Sequence, residues 1–219
     1  MSKRRVFAVA ATILFFSLGV RYASAQSEKL RFEAGAQALL IRIDNEPFCF
    51  ACPDKRTELG FGGRFAYNIT NYVALEGEVD FFPRRYEAVI TPVNGGRIIE
   101  GLFGVKSGKR FPKIGIFGKA RPGFLRYTRA ETKIEFPNGN GPVPGNRFGI
   151  AFGGVNHFAV DLGGVVELYP SRRTVVRFDA GDTVVRYANI PVFLGNGQLV
   201  METRHLNSLQ VSVGFGFRF

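Results

Sequence analysis

The last eleven residues, Leu209 to Phe219, alternate between large apolar side chains at odd positions and polar, small or charged side chains at even positions. Successive side chains of a β-strand point to opposite faces, so this segment predicts a strand with one apolar and one polar face. The sequence stops on an apolar phenylalanine of that pattern. A strand of this kind is typical of a barrel that turns its aromatic face to lipid.

The same alternation recurs along the chain, and eight such segments are long enough to cross a bilayer at a tilt. No helical periodicity competes over a comparable window. The segments are Leu30–Ile43, Thr57–Tyr67, Tyr72–Phe82, Arg97–Ser107, Lys113–Tyr127, His157–Tyr169, Thr174–Tyr187 and Leu206–Phe219.

Short and long connections between these segments alternate strictly. The short ones are 68–71, 108–112 and 170–173, and the long ones are 44–56, 83–96, 128–156 and 188–205. This rhythm predicts an all-β, eight-stranded antiparallel up-and-down transmembrane β-barrel with short periplasmic turns and longer outer loops. Residues 133–136 and 147–152 predict a hairpin projecting above the membrane, and a ten-stranded barrel is the alternative.

Residues 1–25 have the pattern of a cleaved secretory signal peptide. A basic start at Ser2–Arg5 precedes an apolar stretch at Val6–Val20 and the small residues Ala23-Ser24-Ala25. We therefore expect a barrel domain over 26–219, exported to the outer membrane of a Gram-negative cell. Cleavage removes four basic residues and no acid, which lowers the net charge from +11 to +7. In an exported protein this charge favours lipopolysaccharide and lipid headgroups over nucleic acid as partners.

The alternation also predicts which charged side chains point into the barrel. An eight-stranded barrel is narrow enough for side chains to fill it, and buried charges must pair because an unpaired one is very costly. We interpret the set as a salt-bridged plug; a narrow gated ion path and catalysis are the alternatives. The predicted lumen charges are Glu58, Arg64, Glu76, Glu78, Asp80, Glu100, Lys106, Lys119, Arg121, Asp161, Glu167, Arg177, Asp179 and Arg218.

Aromatic residues cluster near the predicted strand ends, where two interfacial rings are expected in a membrane barrel. They are Tyr67, Tyr72, Phe111, Tyr169 and Phe219 near the short turns, and Phe81, Phe82, Phe124, Tyr127, Phe158 and Tyr187 near the long loops. Pro122 lies in the middle of the fifth segment. Because proline cannot donate to a ladder, it predicts a bulge or a bend there.

The only cysteines, Cys49 and Cys52, are spaced C-x-x-C in a predicted loop. In an oxidising compartment this spacing favours a disulfide at a loop tip. A thioredoxin-like redox site would need a βαβ unit, and zinc would need two more ligands, whereas His157 and His205 are distant in sequence. We expect no metal and no cofactor.

The two histidines are the remaining candidates for catalysis, because both are predicted near the outer mouth. Ser208 follows His205 by three residues, and that spacing on a strand places the two on opposite faces. We interpret both histidines as solvated residues at loop ends and predict no catalytic residue.

The mature chain resembles small outer-membrane barrels of the OmpA/OmpX type. The resemblance rests on the signal peptide, the eight strands, the loop rhythm and the terminal aromatic strand with Val213, Phe215, Phe217 and Phe219. It implies that the barrel-assembly machinery recognises this strand. We expect a monomeric structural and surface-interaction protein whose outer loops meet an unknown extracellular partner. The alternatives are a narrow pore and a lipid- or peptide-modifying enzyme.

Overall fold

The computed structural model describes residues 30–44, 55–86, 95–135, 149–193 and 199–219. The predicted signal peptide and the segment with Cys49 and Cys52 lie outside the described residues, so both remain predictions. Across the described ranges, no helix has the length and apolar character needed to cross a membrane.

Eight strands form one closed antiparallel barrel in which each strand pairs with its sequence neighbours. They are β1 (Phe32–Asp44), β2 (Lys55–Asn68), β3 (Val73–Tyr86), β4 (Gly95–Arg110), β5 (Ile114–Glu135), β6 (Gly149–Leu168), β7 (Thr174–Phe193) and β8 (Leu199–Arg218). The predicted eight-stranded up-and-down topology is confirmed, and the ten-stranded alternative is wrong.

The pairing of β8 with β1 closes the barrel. At its edge Phe32 and Phe219 exchange two backbone hydrogen bonds, both 2.9 Å long, and their rings stack with centroids 6.0 Å apart. The odd-numbered side chains from Leu209 to Phe219 lie exposed on the outer face. The alternation of the terminal segment therefore has its apolar side on the outside of the barrel.

Side-chain hydroxyls stabilise two of the three short turns. The Thr70 hydroxyl accepts hydrogen bonds from the backbone N–H groups of Tyr72 (3.1 Å) and Val73 (3.0 Å). Ser171 accepts the same pair of bonds from Arg173 (3.2 Å) and Thr174 (3.1 Å). The third turn is confined to residues 111–113 because β4 continues to Arg110. We call this end of the barrel the short-turn end and the opposite end the long-loop end.

At the long-loop end, several strands extend well beyond their predicted bounds. The β5–β6 ladder continues through two register shifts to the pair Glu135–Gly149, and the β7–β8 ladder reaches Phe193–Leu199. The hairpin predicted in the third long connection is thus a direct extension of β5 and β6. The loop bounds 128–156 and 188–205 were wrong, because backbone pairing continues where the apolar alternation stops.

Pro122 does not produce the predicted bulge. The pairs Leu102–Gly123 and Val105–Ala120 flank it with an unchanged offset between β4 and β5, and the register with β6 is also continuous. Close packing of backbones, rather than a bulge, distinguishes this part of β5. A Cβ atom at Gly123 would lie 1.9 Å from the Gly101 carbonyl oxygen.

We predict that Gly123→Ala destabilises the barrel, whereas Gly118→Ala on the same strand does not. A Cβ at Gly118 would meet nothing closer than 3.9 Å. Overpacking at Gly123 should lower the free energy of unfolding by about 1–3 kcal/mol. The measurement is the temperature at which the compact band of the unboiled protein is lost in gel electrophoresis. Equal temperatures for the two variants would contradict this prediction.

Candidate functional site

The lumen is the candidate site, since it gathers nearly all of the buried polar side chains. Of the fourteen predicted lumen charges, thirteen are buried and Arg218 is half-buried at the short-turn end. The buried ones are Glu58, Arg64, Glu76, Glu78, Asp80, Glu100, Lys106, Lys119, Arg121, Asp161, Glu167, Arg177 and Asp179.

One group of ion pairs ties four strands together across the short-turn half of the lumen. Arg177 on β7 donates two hydrogen bonds to the Glu76 carboxylate on β3, at 2.5 and 3.0 Å. Lys106 on β4 lies 2.9 Å from Glu76 and also pairs with Glu167 on β6. Two cations thus share two carboxylates in a dry interior, where bidentate pairing is strong.

A second group lies beside the first and is connected to it. Arg121 on β5 donates to Glu78 at 2.5 Å and to Asp161 at 2.7 Å. Lys119 lies 2.8 Å from Asp161 and also pairs with Asp179. Because Arg177 donates to Asp179 at 2.7 Å, the two groups form one continuous network, which we call the ion-pair network.

Asp80 and Glu100 are held by amides rather than by cations. They are cross-strand partners on β3 and β4, and among the described residues neither has an ion pair. Gln37 donates to Asp80 at 2.8 Å, and Gln210 donates to Glu100 at 3.0 Å. A Cβ at Gly62 would lie 1.8 Å from an Asp80 oxygen, so this glycine leaves the space that the carboxylate occupies.

The long-loop half of the lumen contains a cluster of apolar side chains, which the sequence analysis did not anticipate. Ten buried side chains from six strands form one cluster there, and the Tyr127 and Tyr187 hydroxyls meet at 2.9 Å. We call this cluster the apolar plug. Its members are Leu39, Ile41, Ile43, Phe82, Ile98, Leu125, Tyr127, Ala159, Val185 and Tyr187.

His157 packs against the apolar plug, so the prediction that it is solvated was wrong. Its ring centroid lies 4.6 Å from that of Tyr187 and 5.8 Å from that of Tyr127. His205 is exposed on the outer face while Ser208 is buried inside, so the two lie on opposite faces as predicted. Within the described ranges, no group of three or more metal-ligating side chains could hold a metal ion.

The two predicted aromatic rings are only partly present. Tyr72, Phe111, Phe124, Phe158 and Phe219 are exposed on the outer face. Four other aromatics expected in the rings are buried in the lumen instead: Phe82, Tyr127, Tyr169 and Tyr187. Each of these four lies an even number of residues from the lumen charges of its own strand, so the alternation could have identified them as inward-facing.

The set of predicted lumen charges left out two that the structure buries. Glu33 accepts a hydrogen bond from Arg64 at 3.4 Å, and Arg56 lies 3.7 Å from Glu58 with its guanidinium over the Tyr127 ring. Arg56 lies two residues from Glu58, and that spacing could have identified it. The amide Gln37 is buried as well, and it shows that an amide can compensate a buried carboxylate.

The outer face combines an apolar band with basic residues at its long-loop edge. Large exposed apolar side chains occur on the outer face of every strand, an arrangement typical of contact with lipid. At the long-loop edge of this band five strands each present an exposed basic side chain: Arg42, Lys55, Arg97, Arg126 and Arg186.

Comparison with solved structures places this geometry among outer-membrane barrels. Neisserial surface protein A matches with a TM-score of 0.56 and 10% identity, over 86% of this chain and 97% of that one. The chain has the fold of a small outer-membrane barrel. The N-terminal barrel of Pseudomonas aeruginosa OprF (TM-score 0.46, 12% identity, 85% and 97% coverage) and the protease OmpT from Escherichia coli (0.44, 8%, 91% and 99%) also match. No protein-family model and no curated protein sequence matches this barrel.

We predict that Arg177→Gln strongly destabilises the barrel, because it leaves Glu76 and Asp179 buried without their main cation. Loss of one partner from a buried pair costs about 3–5 kcal/mol. Arg186→Gln on the same strand is the matched control, since Arg186 is exposed on the outer face. It should change the free energy of unfolding by less than about 0.5 kcal/mol. Urea unfolding followed by circular dichroism measures both, and an unchanged Arg177→Gln midpoint would refute the structural importance of the network.

Proposed function

We propose that this protein is a monomeric, non-conducting barrel of the bacterial outer membrane that displays rigid hairpins as an interaction surface. The observation that carries the proposal is the apolar plug. Its side chains come from β1, β3, β4, β5, β6 and β7 and pack together inside the barrel above the ion-pair network. A barrel whose lumen is occupied in this way would act through its surfaces, and the extended strands form the most prominent of these.

The extended hairpins give the display surface its shape. Arg126 is the basic residue of β5 at the long-loop edge of the apolar band. Beyond it, β5 continues for nine residues to Glu135. At about 3.3 Å per residue the β5–β6 hairpin projects roughly 30 Å further. The β7–β8 ladder extends beyond Arg186 to Phe193 in the same way. An unknown extracellular partner would meet this paired backbone rather than four separate loops.

The pore alternative is disfavoured by the same plug. Ions would have to pass both the Tyr127–Tyr187 contact and a network in which Arg121 and Arg177 are 1% and 0% exposed. Moving one of these charges aside would leave its carboxylates buried and unpaired, which is costly. We therefore do not assign transport of ions or solutes to this barrel.

The surroundings of the two histidines do not favour the enzyme alternative. His157 packs against the rings of Tyr127 and Tyr187, and His205 is separated from Ser208 by the thickness of the sheet. A nucleophile needs a base within hydrogen-bond reach. We therefore propose no catalytic role.

The outer face supports lipid partners and the route of assembly. The basic side chains at the long-loop edge of the apolar band suit the phosphates of lipopolysaccharide, which attract Arg and Lys at this depth. The side chains of Val213, Phe215, Phe217 and Phe219 are exposed along β8, so the barrel-assembly machinery could read them from outside. Both partners are proposals that follow from the outer-membrane location.

We predict that the purified barrel forms no ion channels in planar lipid bilayers, because the plug and the network close the lumen. The current trace should stay at baseline after insertion. A general porin added afterwards to the same bilayer is the control, because it shows that this bilayer reports conductance. Reproducible single-channel steps that scale with the amount of this protein would overturn the non-conducting part of the proposal.

We predict that the long-loop end lies outside the cell and the short turns face the periplasm. In a Cys49→Ser/Cys52→Ser background, Thr203→Cys at the exposed outer face of β8 should react with a membrane-impermeant maleimide on intact cells. Asn71→Cys, in the exposed first short turn, should react only after the cells are broken. The reverse labelling pattern would contradict display of the hairpins.

A further inference from the structure

The short-turn end of the barrel opens into a strongly basic cavity of about 970 Å³. Its walls are the three short turns and its floor includes the end of β8. Among the described residues, five cations and no acid line it: Arg110, Lys113, Arg172, Arg173 and Arg218. We call it the basic mouth. Lys113, Arg172 and Arg173 are exposed at its rim, while Arg110 and Arg218 are half-buried in its floor.

The acids behind the floor are already neutralised by other cations. Glu33 pairs with Arg64, and Glu76 pairs with Arg177 and Lys106. Glu167 pairs with Lys106, and Arg110 reaches the same carboxylate at 3.6 Å. Glu33 is the cross-strand partner of Arg218, but its ion pair among the described residues is the one with Arg64.

Tyr169 does not supply the missing negative charge. Its hydroxyl donates to Glu167 at 2.7 Å and accepts a hydrogen bond from Arg110 at 2.9 Å. Burial and the Glu167 carboxylate raise the pKa of Tyr169, so the phenol stays neutral. Its ring offers the floor only a weak cation–π contact.

Arg218 therefore has no ion pair among the described residues. Its guanidinium lies 5.1 Å from the centroid of the Tyr169 ring, and that of Arg110 lies 5.6 Å from the same centroid. The Arg218 Nε atom is buried without a hydrogen-bond partner, and no ion pair to Arg218 occurs in the described part of the chain. Two guanidiniums on one ring repel each other, and a buried unpaired donor is costly. One anion placed between them would relieve both penalties.

We propose that the basic mouth binds a phosphate-bearing ligand, with Arg218 and Arg110 holding the phosphate and Lys113, Arg172 and Arg173 attracting it. Guanidinium forks match phosphate oxygens in bidentate geometry. The cavity volume lies in the range of small-molecule sites, so it has room for more than the phosphate itself. The ligand is thus a phosphorylated solute or the headgroup of a phospholipid. This inference rests on the mouth alone and is independent of the proposed display by the hairpins.

The test is calorimetric titration of the refolded barrel with glycerol phosphate in a maltoside detergent, which has no phosphate of its own. Wild-type protein should show saturable binding with one site. Arg218→Gln removes a charged hydrogen-bonding partner of the phosphate, so it should weaken binding by about tenfold or more. Arg172→Gln/Arg173→Gln should weaken it by a smaller factor, and its substitutions lie in an exposed turn where they cannot disturb folding of the lumen.

Lys109→Gln is the matched control. It removes the same charge at the same end of the barrel, but Lys109 is exposed on the outer face, where it lies over the Phe111 ring at 5.2 Å. Its affinity for glycerol phosphate should equal that of the wild type. Absence of saturable binding, equal weakening by Lys109→Gln and Arg218→Gln, or tighter binding of succinate than of glycerol phosphate would each overturn the proposal.

A second arm separates the two sources of phosphate. In nanodiscs of phosphatidylglycerol, loss of glycerol phosphate binding by the wild type would show that a lipid headgroup occupies the basic mouth. Retained binding would identify a soluble phosphorylated ligand. Either result supports phosphate binding in the basic mouth, because a lipid headgroup and a soluble ligand would both bind Arg218 through a phosphate.

Discussion

Closure of the backbone ladder between β1 and β8 is the constraint on which the rest of the structure depends. A sheet in lipid cannot leave N–H and C=O groups unpaired, so its first and last strands must pair with each other. Closing after eight strands leaves a lumen only as wide as its side chains. Inward-facing residues in the middle of the barrel are thereby removed from water, whatever their polarity. The contents of the lumen follow from that dehydration.

Two arrangements of buried side chains follow each other along the barrel axis. Near the short turns, charges compensate each other, as where Arg177 and Lys106 share Glu76. Near the long loops, apolar side chains and the Tyr127–Tyr187 contact predominate, with Arg56 and Glu58 as a charged pair beside them. The charge that is left over lies at the short-turn end, where the barrel opens to water. The two ends and the middle of the barrel thus differ in the charge that their side chains present.

Residues two apart on a strand point to the same face, and this rule predicted much of the site. The errors occurred where the rule was not applied. Phe82 follows Glu76, Glu78 and Asp80 at intervals of two, so the rule that placed those acids inside also places Phe82 there. The same rule puts His157 inside with Asp161. Both were assigned by their position near strand ends, where an aromatic girdle or a solvated mouth was expected. In the long-loop half apolar side chains face inward, so hydrophobicity no longer marks the lipid side.

The sequence by itself determined the strands, the short turns and the order in which they are connected, because alternation and turn chemistry are local properties of the backbone. Only the tertiary structure decided which inward side chains meet. Glu76 and Arg177 are 101 residues apart, and they touch because the barrel closes with one particular stagger between its strands. That stagger also places Arg218 over the Tyr169 ring and beside Glu33, its cross-strand partner on β1. No local pattern encodes it, since it results from all eight pairings acting together.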